Sequence, residues 1–220
     1  MQPTYRIPVQ YSAVLADKRP EDFEECPSTD APWYWRRREE SGFNDAFPGL
    51  EMRKVDMSAY NSTRHPLERR QLIFYRPLSR QTHPLPRSAN LQLSAHLYAS
   101  DRNSLYIVAN HVDVGDMWKH MGSLSHTVIF HTGIEDLWFE DEEWFVKEDW
   151  TDRVGDGRGV LHSRIWNPRT GRLVATVLQD GMIRVQAKGV ATKEEVSRVR
   201  EVERSWPPAE DERRKVQGKL

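Results

Sequence analysis

The sequence has a single cysteine, Cys26, in 220 residues. That excludes a disulfide within the chain and makes a reduced, intracellular compartment the natural setting. It has no run of about 18 apolar residues, which excludes a transmembrane helix, so no membrane insertion is expected. The opening Met1-Gln-Pro-Thr-Tyr-Arg6 lacks the apolar core of a secretory signal. An excess of charge of either sign is also missing. The 32 Lys and Arg stand against 33 Asp and Glu, a net charge of −1, so no field gathers nucleic acid or an anionic surface. The aromatic-basic patch Trp33-Tyr-Trp35, Arg36-Arg-Arg38 is followed at once by Glu39 and Glu40. Its aromatics are expected to pack on the domain while the arginines stay solvated.

Several catalytic signatures are absent too. Gly122-Ser-Leu-Ser-His126 is not the Gly-x-Ser-x-Gly elbow of a serine hydrolase. Gly155-Asp-Gly-Arg-Gly159 lacks the Lys-Ser/Thr of a phosphate loop and reads as a turn. His126 and His131 lie five apart on a strand, so they face opposite sides and make a poor metal pair. His111, Asp113 and Asp116 read as a solvated loop. No metal and no cofactor is expected.

What is present is organised between Tyr98 and Val185. Residues 1–48 are rich in Pro, Glu, Asp and Arg and read as an extension or linker. Strands are predicted at Leu50–Met57 and Gln71–Arg76, with turn chemistry between them and a proline-rich loop over 77–88. Asn90 is a candidate cap for a helix through Leu91, Leu93, Leu97 and Tyr98, continued by Leu105–Ala109. Such a helix is apolar over most of its surface and should be buried. Asp101 would then fall near its middle, where a carboxylate costs several kcal/mol unless solvated or hydrogen-bonded.

A loop over 110–122 precedes strands at 126–132, 143–150, 160–166 and 173–185, read as a four-strand antiparallel meander. Gly181 inside the last strand suggests a bulge or a close backbone approach. Trp138, Trp144, Trp150 and Trp166 read as core and interface residues. Residues 192–204 have a thin apolar stripe at helical spacing, and 191–220 read as a charged tail. Periodicity alone gives an α+β fold.

Tyr98-Ala-Ser-Asp101, Gly122-Ser-Leu-Ser-His126 and Val177-Leu-Gln-Asp-Gly181 together resemble the acyl-CoA thioesterase II, or TesB-like, family of double-hotdog thioesterases. The resemblance covers roughly residues 48–186 and is to the C-terminal hotdog, which implies a hotdog domain over 49–190. It implies that Asp101 on the hotdog helix, Ser123 at the next strand and Gln179 on the late strand hold the attacking water. The chemistry is consistent: a carboxylate can take a proton from water, and Ser123 and Gln179 can fix its direction of attack. Thiolate leaves readily, so no strong general acid is needed. Ser125 stands where the family usually has Asp, and it is not counted as catalytic.

No counterpart of the family's N-terminal hotdog is expected, because residues 1–48 are too short and proline-rich to replace it; either the protein pairs with a copy of itself, or the chain is a fragment or a divergent gene product. A single hotdog leaves one sheet edge and an apolar face open, so a homodimer or a partner hotdog is expected. The implied activity is hydrolysis of acyl-CoA, the expected partner, to a free acid and CoA. The alternatives are a non-hydrolytic acyl-binding or dimerising hotdog and a pathway-specific hotdog dehydratase; the sequence lacks the Asp-x-Asn-Pro-x-His loop of the latter. The ending Gly218-Lys219-Leu220 is one substitution from a Ser-Lys-Leu peroxisomal address, with the cytoplasm as the alternative location.

Overall fold

Strand β3 (Gln71–Pro77) sets the layering, because its side chains are buried on both faces. Leu72 and Phe74 enter one apolar cluster, while Ile73 and Tyr75 enter another on the opposite side. A strand buried on both faces reads as a continuous apolar run rather than an alternation, which is what Gln71-Leu-Ile-Phe-Tyr75 shows. Burying each side chain of this size contributes about 1.5–3 kcal/mol.

The computed structural model describes residues 7–15, 17–45, 47–78, 86–140, 143–185 and 197. The chain divides into two compact units, Met1–Val185 and Gln186–Leu220. The stripe expected over 192–204 lies, Ser197 apart, outside the described residues.

In the first unit, seven strands form one antiparallel sheet in the order β1-β2-β3-β5-β6-β7-β4. They are β1 (Glu24–Glu25), β2 (Leu50–Lys54), β3, β4 (Trp118–Phe130), β5 (Phe145–Gly155), β6 (Arg158–Asn167) and β7 (Arg172–Val185). The helices are α1 (Ile7–Gln10), α2 (Ser12–Leu15), α3 (Pro32–Ser41), α4 (Ser58–Asn61), α5 (Ala89–Asp101) and α6 (Ser104–His111). On the inner face, Ala99 of α5 and Ile107 and Val108 of α6 meet Leu161, Ile165, Ala175, Val177 and Ile183. A curved antiparallel sheet closed round a helix is the hotdog fold, as expected.

On the outer face, Ile7, Tyr11, Phe23, Val55 and Met57 pack with Leu72, Phe74, Trp144, Val146 and Trp166. The Tyr11 hydroxyl donates to Glu148 at 2.6 Å, and burial, then that carboxylate, pushes the phenol upward. Part of the segment read as an extension thus lies in this second core. In α3, Pro32 opens the helix and Gly42, at φ 66°, closes it in the left-handed conformation that glycine takes without penalty. Tyr34 is buried there, while Trp33 is exposed to 38%. Arg36 pairs with Asp116, and Arg37 stacks on Phe43, so the basic run is tied locally.

Three expectations are corrected. The last strands are not a meander: β4 lies at the far edge beside β7, not next to β5. The connection between β4 and β5 is instead bound to α5. The Leu137 carbonyl accepts from His96 Nε2 at 2.9 Å, and the Phe139 amide donates to Gln92 Oε1 at 3.0 Å.

Second, the buried face of α5 carries Gln92, His96, Ala99 and Ser100, whereas Leu91 and Leu97 are exposed. Hydrogen bonds make that polar face tolerable, His96 Nδ1 accepting from the Tyr75 hydroxyl at 2.8 Å. Third, the helix does not run through Asp101. It ends there, and Asn103 breaks it at φ 56°. The Asn103 side chain donates to the Pro27 carbonyl at 2.9 Å and accepts from the Asp30 amide at 3.1 Å. Asn takes the left-handed conformation more readily than other non-glycine residues, and these bonds fix it there.

Two buried histidines give the fold an acid sensitivity. Burial lowers His96 to about 4. Burial, then Arg69 and Arg70, lowers His111 to about 4. Histidine in the unfolded chain titrates near 6.5, so below that pH the unfolded state binds protons that the folded state refuses. Stability is therefore complete above about pH 6.5 and is lost as pH falls toward 4, by a few kcal/mol for each residue. Urea midpoints should begin to fall near pH 6, before carboxylates protonate. A flat midpoint from pH 7 to 5 would show that neither imidazole is held neutral.

Candidate functional site

The site forms where α5 ends over β7 and β4. Gln179 on β7 faces inward with Ala175, Val177 and Ile183, and it is fully buried. Its Nε2 donates to Asp101 Oδ1 at 2.8 Å and to Ser123 Oγ at 2.5 Å. An amide nitrogen has two hydrogens, so one group joins both partners. The three residues singled out from the sequence, from positions 101, 123 and 179, thus meet in one cluster. Asp101 is not buried: its side chain keeps 52% exposure, because the helix stops beneath it. Ser123 is exposed on β4.

Two devices bring these side chains together. Gly181 lets α6 approach β7, since a Cβ there would sit 2.3 Å from Leu105 Cδ2. The suspected close approach at this glycine is therefore to a helix. Opposite it, β4 carries the irregularity. Ser123 pairs with Gly181, Ser125 with Asp180, and His126 with Gln179, so β4 holds one extra residue between Ser123 and Ser125. In a regular strand, residues three apart face opposite sides. The bulge turns both Ser123 and His126 toward α5.

His126 is the residue that sequence reasoning passed over as part of the site. Its Nδ1 lies 3.3 Å from Asp101 Oδ1, and its Nε2 lies 3.0 Å from Ser100 Oγ. The available signal was Ser-x-x-His opposite a glycine-bearing strand, a pattern that needs a bulge to act on one face. His131 lies on the other side and bonds Thr176 at 2.8 Å. No group of three or more His, Cys, Asp or Glu among the described residues is arranged to hold a metal ion. Ser125 makes no hydrogen bond to the cluster among those described.

The bonding assigns chemical capacities. Asp101 Oδ1 receives the Gln179 amide, and among the described residues no hydrogen bond reaches Oδ2. Ser123 Oγ also receives an N–H from Gln179, and among the described residues no base is bonded to it, so its hydroxyl can serve as a hydrogen-bonding group. A carboxylate, a hydroxyl and a buried amide fixing both can hold and deprotonate one water.

The site borders an open edge. β4 is the terminal strand, and Leu124 and Ile129 on it are exposed to 56% and 54%. Leu178 on β7 is exposed to 42% and Leu97 on α5 to 44%.

A family model described as the acyl-CoA thioesterase C-terminal domain matches residues 20–183. Acyl-coenzyme A thioesterase 8 of Homo sapiens is 34% identical over 73 residues, covering 31% of this chain and 21% of that protein. The protein of the same name from Mus musculus is 35% identical over 66 residues, 30% of this chain and 19% of that protein. The chain thus spans a minor part of the curated relatives it matches. The crystal structure of acyl-CoA thioesterase II TesB2 from Mycobacterium marinum superposes with a TM-score of 0.50 at 24% identity, over 76% of this chain and 58% of that one. This likeness shows the fold. With the family model matched over most of its length, the chain belongs to the acyl-CoA thioesterase C-terminal domain family.

Proposed function

We propose that the chain hydrolyses acyl-CoA to a free acid and CoA, with Asp101 as general base and Ser123 and Gln179 positioning the water. The observation that carries this reading is the Gln179 amide, buried and bonded to both Asp101 and Ser123. Water donates one hydrogen to Asp101 Oδ2 and the other to Ser123 Oγ, which directs its lone pair at the thioester carbonyl. The new C–O bond forms as Asp101 takes the proton. The oxyanion then collapses, the C–S bond breaks, and the thiolate leaves and recovers the proton from the Asp101 carboxyl.

The pocket for the acyl chain is completed, in this reading, by a second copy set against the β4 edge. The exposed Leu124 and Ile129 on the terminal strand support that placement. The test is release of CoA thiol from a short and a long acyl-CoA, with the mass in solution measured on the same sample. A dimer with turnover is expected. Binding of acyl-CoA without turnover would favour the non-hydrolytic reading. Gly218-Lys219-Leu220 is what supports a peroxisomal location; failure of these last residues to direct a fluorescent protein there would remove it.

A further inference from the structure

We propose that Ser100, His126 and Asp101 form a Ser-His-Asp array run in reverse, in which buried Ser100 anchors the imidazole and His126 positions the solvent-facing Asp101 carboxylate. The inference deepens the reading above and rests on it for its catalytic half.

The spacing is that of a nucleophilic triad, with hydroxyl oxygen against Nε2 at 3.0 Å and carboxylate oxygen against Nδ1 at 3.3 Å. The exposures invert the roles. Ser100 has no exposed surface, so no thioester can reach its hydroxyl. Asp101 keeps half of its side-chain surface, and His126 lies between them at 23%. The end that can meet substrate is therefore the carboxylate.

Ser100 is suited to anchoring. Its hydroxyl donates to the Leu97 carbonyl at 2.7 Å, and its oxygen lies 3.0 Å from His126 Nε2. With a neutral imidazole, the hydroxyl turns from the Leu97 carbonyl, gives up that bond and donates to Nε2. With an imidazolium, Nε2–H donates to Ser100 Oγ, and the hydroxyl donates to Leu97. In both states Nδ1 carries the hydrogen, on the side of the ring that lies 3.3 Å from Asp101 Oδ1. Asp101 Oδ1 then has the Gln179 N–H bonded at 2.8 Å and the His126 N–H within ion-pair reach at 3.3 Å. Rotating the carboxylate would break the Gln179 bond and carry Oδ1 away from the imidazole, so Oδ2 stays aimed at the water.

The free imidazole prefers its single hydrogen on Nε2, so the proposal makes a spectroscopic claim separate from turnover. Nitrogen NMR of the full-length chain, labelled on histidine, should show neutral His126 as the Nδ1–H tautomer, and Ser100→Ala should shift it toward Nε2–H. In kinetics, His126→Leu should lower kcat by about 10- to 100-fold with KM within about twofold, the scale of one hydrogen bond to a charged group. His126→Asn places an N–H donor near the Nδ1 position and should recover most of that loss. An Nε2–H tautomer in the wild type would overturn the proposal. So would an unaltered kcat in His126→Leu, or an Asn variant that stays folded by circular dichroism and is as slow as the Leu variant. Absence of any acyl-CoA turnover in the wild type would defeat the thioesterase reading alone, and the tautomer would still decide this one.

Discussion

Asp101→Asn is expected to lower kcat for acyl-CoA hydrolysis by about 10²–10⁴-fold, the usual worth of a positioned general base. The substitution removes basicity and little else. Asn keeps an oxygen to accept the Gln179 amide, which now bonds Asp101 at 2.8 Å. The side chain is half exposed, so losing its charge costs the fold little. The urea midpoint should stay within experimental scatter and KM should change less than kcat, since the base acts on water rather than on the bound thioester. Thiol release by purified variant and wild type, at saturating acyl-CoA, is the measurement. A variant within a factor of a few of wild type would show that Asp101 is not the base.

The three residues of that site were legible in the sequence only through a family likeness. Nothing in helical spacing at Asn90–Ala109 announces that α5 stops at Asp101, because the break depends on Asn103 bonding to Pro27 and Asp30 in a distant segment. Local periodicity therefore placed Asp101 inside a buried helix, where a base would have been costly. The same blindness reversed the burial of α5. Leu91 and Leu97 face outward, while Gln92 and His96 are satisfied by Phe139 and Tyr75, partners far along the chain.

Strand existence was easier. β3, β6 and β7 carry apolar runs bounded by turn residues, and β-branched or aromatic side chains fill both faces or one. Strand order was not legible, since short connections suggest neighbours, yet β4 and β5 are separated by two strands. His126 was hidden by its spacing. Three residues from Ser123, it shares a face only because β4 bulges opposite Gly181, and a bulge is set by pairing rather than by composition.

Lys147→Met is expected to destabilise the fold by about 3–5 kcal/mol, because it leaves a buried carboxylate without its cation. Lys147 and Asp149 project inward from β5 with no side-chain exposure, and Nζ lies 3.5 Å from Oδ2. Burial already drives the Asp149 carboxyl upward against the opposing pull of Lys147, so the pair is held together under a desolvation cost. Asp149 also accepts from Ser163 at 2.5 Å. The double variant Lys147→Met, Asp149→Asn removes both charges, preserves the acceptor for Ser163, and should recover most of the lost stability in urea denaturation.

Activity should not follow it back. The second task of Lys147 is a bond from Nζ to the Arg102 carbonyl at 3.2 Å, one residue beyond Asp101, at the break between α5 and α6. Neither Met nor Asn replaces that donor. The double variant should be stable yet have kcat about tenfold lower, the scale of one hydrogen bond that orients a catalytic group. Full recovery of kcat along with stability would show that the helix break holds Asp101 without help from beneath.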